Sequence, residues 1–301
     1  MITIKTFLSN GIERLQAHYE ASEAKAVLYQ LLIELLGISQ TDLLLLDKDT
    51  ALSADQELRL DAWMQRLSEG EPLQYVLGYA YFFDQRLDVA PGVLIPRPET
   101  EELVYLIKQE LSRRQTPHPL RILDIGTGSA CIPVGLATQI GPQMLDSIDA
   151  IDISPEALAI ARINIERIAT KVPITLLEAD VFALDTPRVG GGYDIIVSNP
   201  PYIHPDEAEA MSVQVLDWEP NGALFAPADR PTIYYDAIAE LAVRGWLRAG
   251  GMIWLEINPQ YAELTLSRMC NIIGQSRLSE ARLMADLSGK KRFMYLCTTV
   301  H

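Results

Sequence analysis

Three cysteines in 301 residues, Cys131, Cys270 and Cys297, lie too far apart for a disulfide framework, and no CxxC pair is present. The four histidines (His18, His118, His204, His301) are scattered, with no HExxH and no ligand cluster, so no metal is expected. No apolar run approaches the ~20 residues of a membrane-spanning helix, and Met1 to Phe7 hold no apolar leader core. The expectation is a cytoplasmic chain with reduced thiols, no targeting segment and no membrane partner. Basic charge is scarce too: 25 Lys and Arg against 40 Asp and Glu leave a net charge of −15. Duplex nucleic acid is held by neutralising its phosphates. The densest basic cluster here is only Lys290-Lys291-Arg292. Nucleic acid is therefore disfavoured as a partner and a positively charged protein is favoured. Internal repeats and low-complexity tracts are absent.

The composition that is present, 49% hydrophobic and 22% charged, is that of a globular protein. Residues 1–78 read as a small helical domain. Ala24 to Leu36 carries apolar residues at helical spacing and stops at Gly37. Ser53 is placed to cap a second helix, on which Leu60, Trp63, Met64 and Leu67 share one face. Residues 79–100 read as a linker. Tyr79–Phe83 and Arg86–Val89 form a hairpin about Asp84-Gln85, and a stiff, proline-bracketed segment, Ile95–Thr100, precedes a helix expected near Glu101. In residues 101–301 strands alternate with helices. Strands are expected at 121–125, 148–153, 174–177, 195–198, 252–257, 278–283 and 292–297. Helices are expected at about 130–140, 155–169, 231–248 and 259–273. The last two strands are joined too tightly for a parallel crossover and must form an antiparallel hairpin. The fold class is α/β: a Rossmann-like, mainly parallel sheet with a C-terminal antiparallel hairpin, preceded by the all-α domain and the hairpin linker.

Four strand ends carry chemistry. Asp124-Ile125-Gly126-Thr127-Gly128-Ser129-Ala130 follows the first sheet strand and opens a helix, where free N–H groups and permissive backbone let a ligand approach closely. A dinucleotide fingerprint would place a further glycine at Cys131, and Asp124 would repel a pyrophosphate. Asp152, at the next strand end, stands where an acidic side chain takes ribose hydroxyls. Asp180 follows the third strand; it suits an exocyclic adenine amine, with Val181 and Phe182 flanking the ring. The fourth strand runs into Ser198-Asn199-Pro200-Pro201-Tyr202. Neither proline has an N–H, and each holds its predecessor extended. Asn199 Oδ1 and a Pro200 carbonyl free of any ladder can accept the two hydrogens of a planar –NH2 group, with the Tyr202 ring stacking on its plane. Each acid taken alone would serve as well as a helix cap or a solvated turn, but four successive strand ends in register argue for one site.

This constellation resembles the class I S-adenosylmethionine-dependent methyltransferases. The resemblance implies that Asp124 and Gly126, Thr127, Gly128, Ser129 and Ala130 face the methionine part of S-adenosylmethionine, that Asp152 holds the ribose, and that Asp180, Val181 and Asn199 complete the cofactor site. Asn-Pro-Pro-Tyr is similar to the motif of members that methylate a planar amino nitrogen. The flanking segments Gly70–Gly78, Val93–Val104, Trp218–Leu224 and Asp286–Arg292 resemble the release-factor glutamine methyltransferases over nearly the whole chain. Arg97-Pro98-Glu99-Thr100 separates them from sister enzymes acting on a ribosomal protein. Phe83-Asp84 stands where that family often has glycine, Ala228–Pro231 replaces a glycine-containing turn, and Val181 holds a place that is sometimes aromatic. The implied reaction is methyl transfer to the side-chain N5 of the glutamine in the Gly-Gly-Gln motif of peptide chain release factors by a cytoplasmic monomer. Asn199, Pro200 and Tyr202 would be catalytic, and Asn199, Pro200, Pro201, Tyr202, Arg97 and Glu99 would touch substrate. Arg97 and Glu99 keep two readings: an ion pair bracing the linker, or the mouth that admits the glutamine-bearing loop. Residues 1–78 would recognise the partner protein. The rivals are a ribosomal-protein glutamine methyltransferase, an adenine-N6 or cytosine-N4 nucleic-acid methyltransferase, and a non-catalytic binding module retaining the fold.

Overall fold

The computed structural model describes residues 2–114 and 118–300; Met1 and His301, both named above, lie outside the described residues. The chain forms two compact units, Met1–Gly78 with Met211–Trp218, and Tyr79–Ala210 with Glu219–His301.

The first unit holds α1 (Ile4–Leu15), α2 (Ala21–Leu36), α3 (Gln40–Leu45), α4 (Ala54–Ser68) and α5 (Leu73–Leu77). α2 stops at Gly37, which is left-handed at φ 64° and returns its N–H to the Ile33 carbonyl. α4 opens on a capping box: Ser53 Oγ accepts from the Gln56 N–H and Gln56 Oε1 accepts from the Ser53 N–H. Leu60, Trp63, Met64 and Leu67 are its buried residues and join Leu28, Leu31 and Leu32 of α2 in one core. α9 (Val213–Trp218) belongs to this unit although it lies far along the chain.

The second unit begins with β1 (Tyr79–Phe82) and β2 (Gln85–Asp88), an antiparallel pair in which Phe82 faces Gln85. The turn is therefore Phe83-Asp84, one residue earlier than the alternation implied. Phe83 takes φ 49°, a strained conformation for a bulky side chain, at the place where glycine is common in the resembled family. Its N–H is held by the Glu101 carboxylate and its ring meets Phe82 edge-on at 5.2 Å. α6 (Pro98–Arg113) starts three residues before the expected Glu101. Pro98 is its first residue, where a missing N–H costs nothing and φ is already helical. Arg97 before it is extended, as a residue preceding proline must be.

Seven strands follow: β3 (Leu120–Ile125), β4 (Leu145–Asp152), β5 (Ile174–Glu178), β6 (Tyr193–Ser198), β7 (Leu247–Glu256), β8 (Leu278–Ala285) and β9 (Lys291–Thr298), in the order β5-β4-β3-β6-β7-β9-β8. The first five are parallel, and β9 runs antiparallel to both β7 and β8. Alternate residues feed opposite faces, as the pleat requires. Ile195 and Val197 join α6, α7 (Cys131–Gln139) and α8 (Pro155–Ile168) in one core. Ile196 joins α11 (Ile233–Val243) and α12 (Ala262–Ile273) in the other, as does Tyr193, which lies across a register shift from Ile195. With helices on both faces, the strands read as continuous apolar runs. The chain builds outward from β3 to β5 and then returns to β6, so the strand order reverses between β3 and β6, and a crevice opens at their carboxyl ends. The acidic stretch after β6 contains α9 and the short α10 (Asn221–Leu224).

The entry to β6 allows no side chain. Gly192 sits at φ 78°, and a Cβ there would stand 2.7 Å from the Gly245 carbonyl oxygen and 2.9 Å from that of Trp246. Both are backbone atoms that cannot swing away. Gly192→Ala is expected to cost about 2–3 kcal/mol from strain and overpacking. Denaturant unfolding measures it, and an unmoved midpoint refutes the account.

Candidate active site

The crevice is a cavity of about 430 Å³ within the second unit. Its floor is the loop leaving β3. The N–H groups of Gly126 and Thr127 both donate to the Ile151 carbonyl, which folds the loop back over β4. Gly128 donates to Asp152 Oδ2 at 2.8 Å and Ser154 donates to Asp152 Oδ1 at 2.9 Å, so this one carboxylate ties the β3 loop to the start of α8. Asn164, fully buried on α8, donates to the carbonyls of Ser129 and Asp88, and its oxygen accepts the Asp88 N–H. The hairpin linker is thereby tied to the same loop. Ala130 closes the loop at φ 64° and is fully buried.

Gly126, Thr127, Gly128, Ser129, Asp152, Asp180 and Val181 all line the cavity. Asp124 and Ala130 do not; they lie beneath the loop with no exposed surface. Burial pushes the Asp124 carboxyl up to about 7, and the neighbouring Asp152 carboxylate adds to the rise. Neither Asp124 oxygen meets a hydrogen-bond donor, and Thr127 Oγ1 and Ser129 Oγ are buried without partners as well. Unanswered polar atoms in a native interior call for a ligand or water, and a buried carboxylate among them favours a ligand bearing positive charge. Asp180 holds the turn after β5 by accepting the Phe182 N–H at 2.9 Å. Phe182 and Tyr234 face each other at 5.4 Å and both line the cavity. Tyr234 was not foreseen; it sits on α11 and gives no local signal. Burial pushes the Cys131 thiol, also on the lining, up to about 12, so it is inert at neutral pH.

At the opposite wall the ladder of β6 ends at Ser198, whose hydroxyl donates to the Ile125 carbonyl. Asn199, Pro200 and Pro201 line the cavity. Asn199 Nδ2 donates to Thr100 Oγ1 at 3.2 Å, and Thr100 donates in turn to Glu256 Oε2 at 2.8 Å. Among the described residues no donor meets the Pro200 carbonyl. Tyr202 departs from the expectation. Its hydroxyl donates to Glu256 Oε1 at 2.9 Å, its ring joins the core beside α11, and it does not line the cavity. A buried carboxylate is a stronger partner for a phenol than an open pocket is.

Arg97 and Glu99 form no pair with each other, which corrects the bracing reading. Arg97 pairs with Glu219, which is buried and also accepts the Ile95 N–H at 3.1 Å. Arg97 lines the cavity, whereas Glu99 lies 3.8 Å from Arg292 and does not. Asn164 and Glu256 are positions the sequence left unmarked, and Thr100 and Glu219 lay in quoted segments without a role of their own. Their one common signal is a polar residue at a place the apolar pattern would bury.

Residues 6–78 match the PrmC N-terminal domain family and residues 104–222 match the methyltransferase small domain family. The chain is 43% identical to the release factor glutamine methyltransferase of Bacteroides thetaiotaomicron, over 94% of this chain and 95% of that one. It is 34% identical to the protein of the same name from Flavobacterium psychrophilum, over 97% and 98%. Among solved structures, the catalytic domain of hMettl16 superposes with a TM-score of 0.53 at 15% identity, covering 83% of each chain, which shows the fold. The mainly parallel seven-stranded sheet is thus the class I methyltransferase fold.

Asp124 makes the ligand-free stability depend on pH. Its folded-state pKa, about 7, lies above the ordinary aspartate value of about 3.9. Between those values the native state binds more protons than the unfolded one, so stability falls as pH rises and levels off above about 7. Asp124→Asn removes this slope. Between pH 4 and pH 8 the wild type is expected to lose up to about 4 kcal/mol relative to the variant. Parallel slopes in urea titrations of the two proteins contradict it.

Proposed function

The chain belongs to the release factor glutamine methyltransferase family, and from that premise we propose that it transfers the methyl group of S-adenosylmethionine to the side-chain N5 of the glutamine in the Gly-Gly-Gln motif of peptide chain release factors. The carrying observation is the pair of acceptors on the cavity wall. Asn199 has its nitrogen engaged by Thr100, which turns Oδ1 outward, and the Pro200 carbonyl is unengaged beside it. Two acceptors side by side suit a group with two coplanar hydrogens, such as a primary amide or an exocyclic amine. The net charge of −15 favours a protein substrate over nucleic acid.

The cavity fits the cofactor. The Gly126–Ser129 loop, with its unanswered hydroxyls and Asp124 beneath, suits the cationic methionine end. Asp152 would take the ribose hydroxyls with the lone pairs left after Gly128 and Ser154. Asp180, Val181, Phe182 and Tyr234 would hold adenine, the acid on its amine and the paired rings beside it. When bound, S-adenosylmethionine supplies a methyl activated by a sulfonium.

An amide nitrogen is a poor nucleophile because its lone pair is delocalised into the carbonyl. Among the residues lining the cavity there is no histidine or lysine to act as base. The chain's contribution is therefore orientation and electrostatics. Asn199 Oδ1 and the Pro200 carbonyl would accept both amide hydrogens, fix the amide plane and stabilise positive charge as it grows on nitrogen. The surplus proton would leave to solvent after transfer. Pro201 shapes the same wall. Arg97, held by Glu219, narrows the mouth. Residues 1–78 would recognise the release factor, 79–100 would serve as linker and 101–301 would carry catalysis in a monomer working in the cytoplasm. Among the described residues no helix is long and apolar enough to cross a membrane.

Labelled methyl transfer to an unmodified bacterial release factor, in parallel with unmethylated DNA, tests the reading. Label is expected on the glutamine of the Gly-Gly-Gln loop by mass spectrometry; label on DNA alone would overturn it. Asn199→Ala should lower kcat by about 10²–10³, the scale of losing one preorganised contact to developing charge. Near-full turnover in that variant would remove Asn199 from the mechanism.

A further inference from the structure

Glu256 lines no part of the cavity, yet the Thr100 and Tyr202 hydroxyls behind the substrate wall both donate to it. It is the last residue of β7 and 1% exposed. Oε2 accepts from the Thr100 hydroxyl at 2.8 Å and Oε1 accepts from the Tyr202 hydroxyl at 2.9 Å. Thr100 and Tyr202 flank Asn199 from two directions, one on α6 and one three residues further along the chain.

The chemistry of a hydroxyl gives this arrangement a direction. Thr100 has one proton, and an ionised carboxylate can only accept. With that proton committed to Glu256, Thr100 Oγ1 has only lone pairs left for Asn199, so Asn199 must turn its nitrogen inward and its oxygen outward. The nitrogen and oxygen of a carboxamide have almost the same shape, so packing alone does not choose between the two orientations. A flipped Asn199 would set an –NH2 against the –NH2 of the substrate.

We propose that Glu256 is a positioning residue: its ionised carboxylate polarises the Thr100 hydroxyl, which locks the Asn199 amide with Oδ1 toward the substrate nitrogen. The inference rests on the reading of Asn199 as the substrate acceptor. It also accounts for Tyr202, whose hydroxyl is the second anchor of the Asn-Pro-Pro-Tyr segment on the same carboxylate.

The lock depends on charge. On balance the Glu256 pKa is raised: burial lifts it most and Glu99 adds to the rise, while the Thr100 and Tyr202 hydrogen bonds and Arg292 hold it down. The Tyr235 hydroxyl rests on the Glu256 backbone carbonyl at 3.2 Å, and the Cys131 thiol also feels its charge. Arg292 is itself paired with Asp286 at 2.8 Å. On protonation Glu256 becomes a donor, Thr100 is released to donate toward Asn199, and the lock is lost.

Steady-state methyl transfer to a release factor tests this in full-length wild type, Glu256→Gln, Thr100→Val and Thr100→Ser, with S-adenosylmethionine affinity measured by calorimetry. Glu256→Gln and Thr100→Val are expected to lower kcat about 10- to 100-fold, as misplacing a reacting group does, with cofactor affinity unchanged. Thr100→Ser restores the hydroxyl and should recover most of the rate. The acid limb of the wild-type kcat profile should be missing in Glu256→Gln. Wild-type turnover in Glu256→Gln, or a parallel loss of cofactor binding, overturns the proposal. If Glu256→Gln does not fold, the Thr100 pair decides: rescue by serine but not valine supports the lock, and equal loss overturns it. Hydrogen exchange of the Asn199 side-chain –NH2, followed by NMR in the ligand-free protein, needs no activity. Protection in wild type that is lost in Thr100→Val supports the lock, and equal exchange overturns it. An inactive wild type with that protection intact refutes the proposed reaction and spares the lock.

Discussion

A β-ladder cannot run through two consecutive prolines, and the active wall follows from that. β6 pairs with β3 and β7 as far as Ser198, and after Asn199 the chain has no backbone N–H to give until Tyr202. The chain is forced out of the sheet at the point where the strand order reverses, next to the loop that leaves β3. Asn199 and the Pro200 carbonyl are consequently presented at an edge instead of being consumed in the sheet. The same reversal brings the carboxyl ends of β3, β4 and β5 to one cavity, so the cofactor loop, Asp152, Asp180 and Asn199 share it.

Two fully buried carboxylates stand on either side of this edge, and their surroundings differ. Glu256 is met by two hydroxyls and lies near Arg292. Asp124 has no donor on either oxygen. A satisfied charge stabilises a geometry, whereas an unsatisfied one waits for a partner. The division fits a site in which the substrate acceptors are preformed and the cofactor loop is completed by its ligand.

Local signals in the chain were sufficient for much of this. Apolar runs located all seven sheet strands, the close spacing of the last two marked the hairpin, and Ser53 and Gly37 marked helix ends that the structure places where expected. The cofactor loop and the strand-end acids were legible because each follows a strand directly. What escaped was long-range. Thr100 meets Glu256 across 156 residues and Arg97 meets Glu219 across 122. Nothing local pairs Arg97 with Glu219 in preference to Glu99, two positions away. Tyr202 was expected on the substrate because the motif ends with it, but its phenol is claimed by a carboxylate that only the fold brings near. The start of α6 was misplaced because Pro98 was taken as a barrier to helix, although the first helical position is where proline is welcome.

The helical unit is assembled from two stretches of chain, residues 1–78 and 211–218, with most of the α/β unit threaded between them. On the ribosome its last piece appears only after four strands of the sheet, β3 to β6, have been made, so it is completed late despite standing first in the chain. Residues 1–78 taken alone would lack α9, the piece of this unit that the later stretch of chain supplies.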